Sequence, residues 1–223
     1  MPVRAKPRIL LVNPNTSHAT TDMMVAIAQE AFAGRAAVVG VTAARGVSMI
    51  LDEAALGASV GAVIEATGAA EGYEGVIVSA FGDPGLAELR ARLEVPVAGI
   101  CEASMREAAE GGRRFGIATV TPLLVDIFAR KAAMLGIGDS FVGTRLTTGD
   151  PLALAADPVR LEAELAHAVA ASIAQDRAEA VIIGGGPLGQ AAIGLAGRYP
   201  VPVIAPIPCA VRALTRDLGL PAA

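Results

Sequence analysis

The chain has no tryptophan, and aromatic residues make up only 3% of its 223 positions, which argues against a site built on stacked rings. Positive charge is not in excess either. Lys and Arg number 18 against 22 Asp and Glu, for a net charge of −4. With no basic cluster, the chain lacks the electrostatic footprint of a nucleic-acid or acidic-membrane partner. Two cysteines, Cys101 and Cys209, are too few for a disulfide scaffold and fit a reducing compartment. The two histidines, His18 and His167, lie far apart with no ligand pattern around either, so no metal site is expected. Long apolar runs are missing too. MPVRAKPRILLV turns from basic to apolar but breaks at Asn13-Pro14-Asn15, too short for a signal core or a membrane span. A cytoplasmic location is expected.

What is present is a globular composition, 53% hydrophobic and 18% charged, long enough for a substantial core. Short apolar runs at 8–12, 37–42, 75–79, 97–100, 115–119, 141–146, 180–184 and 202–205 read as strands. Amphipathic stretches at 20–33, 53–67, 86–93, 102–110, 122–135, 158–175, 189–198 and 209–218 read as helices between them. The alternation predicts an α/β fold with mostly parallel strands and helices on their faces. Val76–Ala80 leads through a Gly/Pro turn and a helix to Val95-Pro96-Val97, a cysteine and another helix. Val181–Gly185 does the same, ending in Val201-Pro202-Val203 and the second cysteine. This recurrence predicts two similar lobes related by pseudo-twofold symmetry, one of residues 1–97 plus 209–223 and the other of 98–208. Ligands of open α/β sheets sit beyond the C-terminal strand ends. The turns after residues 79 and 184 should therefore face each other across one cleft. An apolar α/β protein of this size is also expected to form a homo-oligomer.

Several turns offer chemistry. Asn13, Asn15, Thr16 and Ser17 follow the first strand, where amides and hydroxyls suit a carboxylate or ring carbonyl or simply cap the next helix. In Ser79-Ala80-Phe81-Gly82-Asp83, the glycine permits close approach, and Asp83 before Pro84 is either a helix cap or a general base. Ser79 has no neighbouring base to activate it. Gly184-Gly185-Gly186-Pro187 can bring backbone amides to an oxyanion, yet it matches neither a P-loop nor a dinucleotide fingerprint. Thr119 and Thr121 end another strand and add hydroxyls. Arg45, Ser48 and Met49 are further candidates for the cleft lining.

Taken together, NPNTS after the first strand, FGDPGL after the central one, the Gly-Ile-Cys-Glu-Ala-Ser stretch and GGGPL resemble the aspartate/glutamate racemase superfamily in its hydantoin racemase branch, which includes allantoin racemases. The similarity runs from about Ile9 to Val211. It implies a cofactor-independent inversion at a carbon beside a carbonyl, in which one cysteine removes a proton and a second returns it on the opposite face. The first such cysteine would precede Phe-Gly-Asp-Pro-Gly, where this sequence has Ala80. The second would follow the glycine ending the other strand, where it has Gly185. Neither residue can transfer a proton. Cys101 and Cys209, at expected helix starts that could lower a thiol pKa, are substitute candidates, as are Asp83 and Glu102. Three functions remain open at this point: an isomerase of hydantoin-, allantoin- or amino-acid-type compounds with a rearranged acid/base set, a decarboxylase using the same oxyanion pocket, and a non-catalytic small-molecule binder.

Overall fold

The computed structural model describes residues 6–68 and 71–221; the first five residues of the basic N-terminal stretch lie outside it. The first half runs β1 (Arg8–Asn13), α1 (His18–Ala31), β2 (Ala37–Thr42), α2 (Glu53–Thr67), β3 (Gly75–Val78), α3 (Leu86–Arg92), β4 (Val97–Gly99) and α4 (Ile100–Ala108). The second runs β5 (Phe115–Thr119), α5 (Val125–Met134), β6 (Phe141–Leu146), α6 (Pro151–Ala155), α7 (Pro158–Asp176), β7 (Ala180–Ile183), α8 (Gly189–Leu195), β8 (Val203–Ile204) and α9 (Pro206–Asp217). Two four-stranded sheets result, ordered β2-β1-β3-β4 and β6-β5-β7-β8, and every pairing is parallel. The identical order is the α/β, two-lobed architecture expected from the repeated unit. Among the described residues no helix is long and apolar enough to cross a membrane.

Strand residues alternate between the faces of each sheet. Ile9, Leu11 and Ile77 pack on α1, while Leu10, Val12, Val76 and Val78 pack on α2 and α3. In the second sheet Ala118, Val181 and Ile183 pack on α7 and α8, and Phe115, Ile117 and Ile182 on α5. The last helix of each half crosses over. Cys101, Met105 and Ala108 of α4 pack with β5 and β7 of the second sheet. Ile207, Ala210, Val211 and Leu214 of α9 pack with β1 and β3 of the first. A boundary after residue 97 therefore falls inside β4, and one before 209 falls inside α9.

Several helices start elsewhere than the local pattern suggests. The α1 helix begins at His18 because Ser17 caps it, its oxygen accepting from the Thr20 N–H at 3.2 Å. The α9 helix begins at Pro206, a proline well suited to a first turn, so Cys209 lies inside the helix rather than at its start. The stretch 122–124 stays out of α5 because Leu123 forms a parallel bridge with Asp52 of the other lobe. The unforeseen α6 carries its own signal, an Asp150 cap before Pro151.

Candidate functional site

Ladder register lets the lobes be compared residue by residue. Val12 pairs with Val78 in the first sheet, and Ala118 with Ile183 in the second. Beyond those pairs, the Ser79 N–H donates to the Val12 carbonyl at 2.9 Å and the Gly184 N–H to the Ala118 carbonyl at 2.8 Å. Asn13 and Asn15 thus correspond to Thr119 and Thr121, and Ala80 corresponds to Gly185. The two turns meet closely, with the Phe81 ring of one set against Gly184 of the other. A Cβ on Gly186 would lie 2.5 Å from the Ser79 carbonyl oxygen, and one on Gly184 would lie 3.2 Å from Phe81 Cε1, besides 2.7 Å from Ile117 Cγ2 of its own sheet. Only glycine permits this approach.

Above that contact lies a small cleft with a cavity volume of about 40 Å³, open to solvent on one side. Asn15, Ser79, Ala80, Phe81, Thr121 and residues 184–187 all line it, as does Met49. Pattern reading missed Ile50, Leu56, Val120, Leu124, Phe128 and Leu188, apolar residues whose role is visible only in three dimensions. Asn13, Thr16, Gly82 and Thr119 are not part of the lining. Arg45 lies outside it, paired with exposed Glu65, and Ser48 is exposed.

The polar groups of the cleft have fixed roles. The Asn13 amide nitrogen donates to Asn15 Oδ1 at 2.9 Å and to Thr21 Oγ1 at 3.0 Å, so Asn13 is spent on the turn. Asn15 Oδ1 also accepts from the Ser17 N–H at 2.9 Å. Among the described residues its Nδ2 donates to nothing, which leaves an amide donor for a ligand. Thr119 Oγ1 donates to the Gly184 carbonyl at 2.7 Å, because a carbonyl can only accept. Its 3.1 Å contact with Thr121 Oγ1 must then be donated by Thr121, whose free lone pairs make it an acceptor. Thr16 donates its N–H to the Val47 carbonyl at 3.0 Å, anchoring the loop that carries Met49 and Ile50 across the cleft. Glu53 pairs with Arg130 at 2.6 Å just beyond that loop.

The four candidate acid/base residues do not line this cleft. Asp83, whose φ of 53° is left-handed, is fully buried and caps α4 rather than the adjacent α3. Its carboxylate accepts from the N–H groups of Cys101 at 2.8 Å and Glu102 at 2.7 Å, and it pairs with Lys131 Nζ at 3.0 Å. Burial pushes its pKa up, against the opposing pull of Lys131 and the two N–H groups. The capping also moves the start of α4 back to Ile100, and Gly99 has no Cβ because one would overlap the carboxylate. Lys131 was missed, although it falls on the apolar stripe of Leu124, Phe128 and Ala132, where a charge demands a partner.

Glu102 pairs instead with Arg90 at 3.0 Å and Arg106 at 3.1 Å. Burial acts to raise its pKa, but these two partners outweigh it and hold the carboxyl below its ordinary range. Cys101 is wholly buried, and burial followed by the nearby Asp83 pushes its thiol well up. Cys209 is likewise pushed up, first by burial and then by Glu107, although Arg212 Nη2 donates to its sulfur at 3.2 Å. At Cys101 desolvation of a thiolate outweighs the helix start, and at Cys209, inside α9, burial acts without one. Neither thiol meets the cleft. Among the described residues no group of three or more His, Cys, Asp and Glu is arranged to hold a metal.

A two-lobed, wholly parallel α/β protein with a cleft between matching strand-end turns defines a structural class. Comparison with known proteins makes it specific: residues 9–214 match the Asp/Glu/Hydantoin racemase family model, and the chain belongs to that family. It is 32% identical to a hydantoin racemase of Rhizobium meliloti over 152 residues, which span 68% of this chain and 63% of that protein. It is 25% identical to one from Paenarthrobacter aurescens, over 92% of this chain and 88% of the relative. The structure of allantoin racemase from Klebsiella pneumoniae superposes with a TM-score of 0.89 at 27% identity, covering 98% of this chain and 91% of that one.

Proposed function

We propose that this protein binds a small, uncharged carbonyl compound of hydantoin or allantoin type between its lobes, and does not invert it by the paired-thiol route. One observation carries the reading: the cleft is lined by Ala80 and Gly185 at symmetry-matched positions, and none of its lining residues has a side chain that titrates near neutral pH. Proton abstraction beside a carbonyl needs such a group within hydrogen-bond reach. The free amide donor of Asn15 and the acceptor oxygen of Thr121 match the C=O and N–H of a cyclic ureide, whereas a carboxylate would find no cation in the lining. The relatives' names point to the same ligand chemistry.

The test is proton exchange in heavy water. A chiral 5-substituted hydantoin is incubated with the protein, the C5 proton is followed by NMR, and binding is measured by calorimetry. Saturable binding with exchange no faster than in buffer is the expected result. Protein-dependent exchange would show that a base reaches the ring and would overturn the proposal. Loss of CO2 from a disubstituted malonate would do the same in favour of a decarboxylase. Restoring thiols tests the logic in reverse. A Cβ at residue 185 would lie 2.8 Å from Leu188 Cγ, so Gly185→Cys needs Leu188 shortened as well. Ala80→Cys/Gly185→Cys/Leu188→Ala is expected to gain exchange where Ala80→Cys alone does not.

A further inference from the structure

A second cavity, of about 200 Å³, lies where α4 packs against α9, and it shares no lining residue with the cleft. Its walls come from α3, α4, α9 and β4, the outermost strand of the first sheet. A water takes up about 30 Å³ in the liquid, so there is room for a small polyatomic ion. We infer that this cavity is a second ligand site, which holds a small oxyanion, phosphate or dicarboxylate, between Arg106 of α4 and Arg216 of α9.

The argument turns on which charges are already paired. Glu102 is largely buried, and its carboxylate accepts from Arg90 Nη1 at 3.0 Å and Arg106 Nε at 3.1 Å. Arg90 Nε is also in use, donating to the Val97 carbonyl at 3.1 Å. Glu102 thus orients both guanidinium groups without exhausting them. Among the described residues Arg90 Nη2 and both Nη atoms of Arg106 donate to nothing, and the Arg216 side chain has no partner either. The other lining acids are mostly answered from outside the cavity, Glu107 by Arg212 at 2.7 Å and Glu110 by Arg113 at 3.8 Å. Asp217, exposed to water, is the one lining carboxylate without an ion pair among the described residues. Free N–H donors therefore outnumber free acceptors. An apolar ligand would strip water from those donors and return nothing. A ligand with oxygens on two sides can instead take a planar guanidinium fork from each helix.

The experiment is calorimetric titration of the intact protein with inorganic phosphate and with succinate, at fixed ionic strength made up with chloride. At least one of the two should bind saturably, and the tighter one identifies the ligand class as phosphoryl or carboxyl. Arg106→Gln and Arg216→Gln should each weaken that binding at least about tenfold, with thermal melts close to wild type because both side chains are exposed. Arg92→Gln removes the same charge from an exposed position of α3 outside the cavity, and should change binding by less than about twofold. Ala213→Leu narrows the cavity without altering charge and should weaken binding as well. No saturable binding of either ion would overturn the inference. So would a loss in Arg92→Gln as large as in the two cavity variants, which would reduce the effect to net charge. A loss confined to one of those two would overturn the bridging between α4 and α9.

Discussion

At the scale of single residues, Asp83 shows how one side chain can look catalytic and act as a joint. It lies in the turn that lines the cleft, yet its carboxylate points away, into the start of α4 and onto Lys131. Removing one member of a buried ion pair strands the other, which typically costs about 3–5 kcal/mol. Asp83→Asn should therefore lower unfolding stability in urea by about that amount, while Asp83→Asn/Lys131→Met should recover part of the loss. A change below about 1 kcal/mol in the single variant would mean that the pair contributes little. The same reasoning explains what could be read of the site in the sequence. The turns themselves were legible because Gly, Pro, Asn and Asp mark strand ends by their own backbone chemistry. The partners of Asp83 were not, because a cap donated from 18 residues away leaves no local signature.

At the scale of elements, the apolar strands and every helix but α6 were legible, because burial on both faces of a parallel sheet writes itself into composition. Some boundaries were moved by partners distant in sequence, as at Leu123 with Asp52 and at Ile100 under Asp83, and others by local chemistry, as at Ser17 and Pro206. The β6 strand, at the edge of the second sheet, has a tie within its own lobe. Arg145 grips Asp176 at the end of α7 with two bonds of 2.7 and 2.6 Å. The hydrogen bonds from Arg145 are the largest cause holding the Asp176 carboxyl below its ordinary value of 3.8. A lowered carboxylate stabilises the fold fully above its unfolded pKa and loses that contribution as pH falls through its folded one. The melting temperature of Asp176→Asn should thus lie below wild type at neutral pH and converge with it as the solution is acidified below about pH 4. The gap should correspond to about 1 kcal/mol or less, since both side chains reach solvent.

At the scale of the whole molecule, the exchange of α4 and α9 makes each sheet depend on the other half of the chain. Ile207, Val211 and Leu214 alone bury side chains worth roughly 1.5–3 kcal/mol each. Their sum rivals the roughly 5–15 kcal/mol by which a whole domain is stable. A chain ending at residue 205 should accordingly lose the cooperative urea transition seen by circular dichroism, in both sheets together. A truncated chain that kept the full transition would show the crossing helix to be dispensable. The exchange also sets an order on biosynthesis. A ribosome releases β1 and β3 long before α9, which shares the covering of their inner face with α1. Until α9 is made, that side of the first sheet has only part of its native cover, and the nascent chain must meanwhile be kept from sticking to its neighbours.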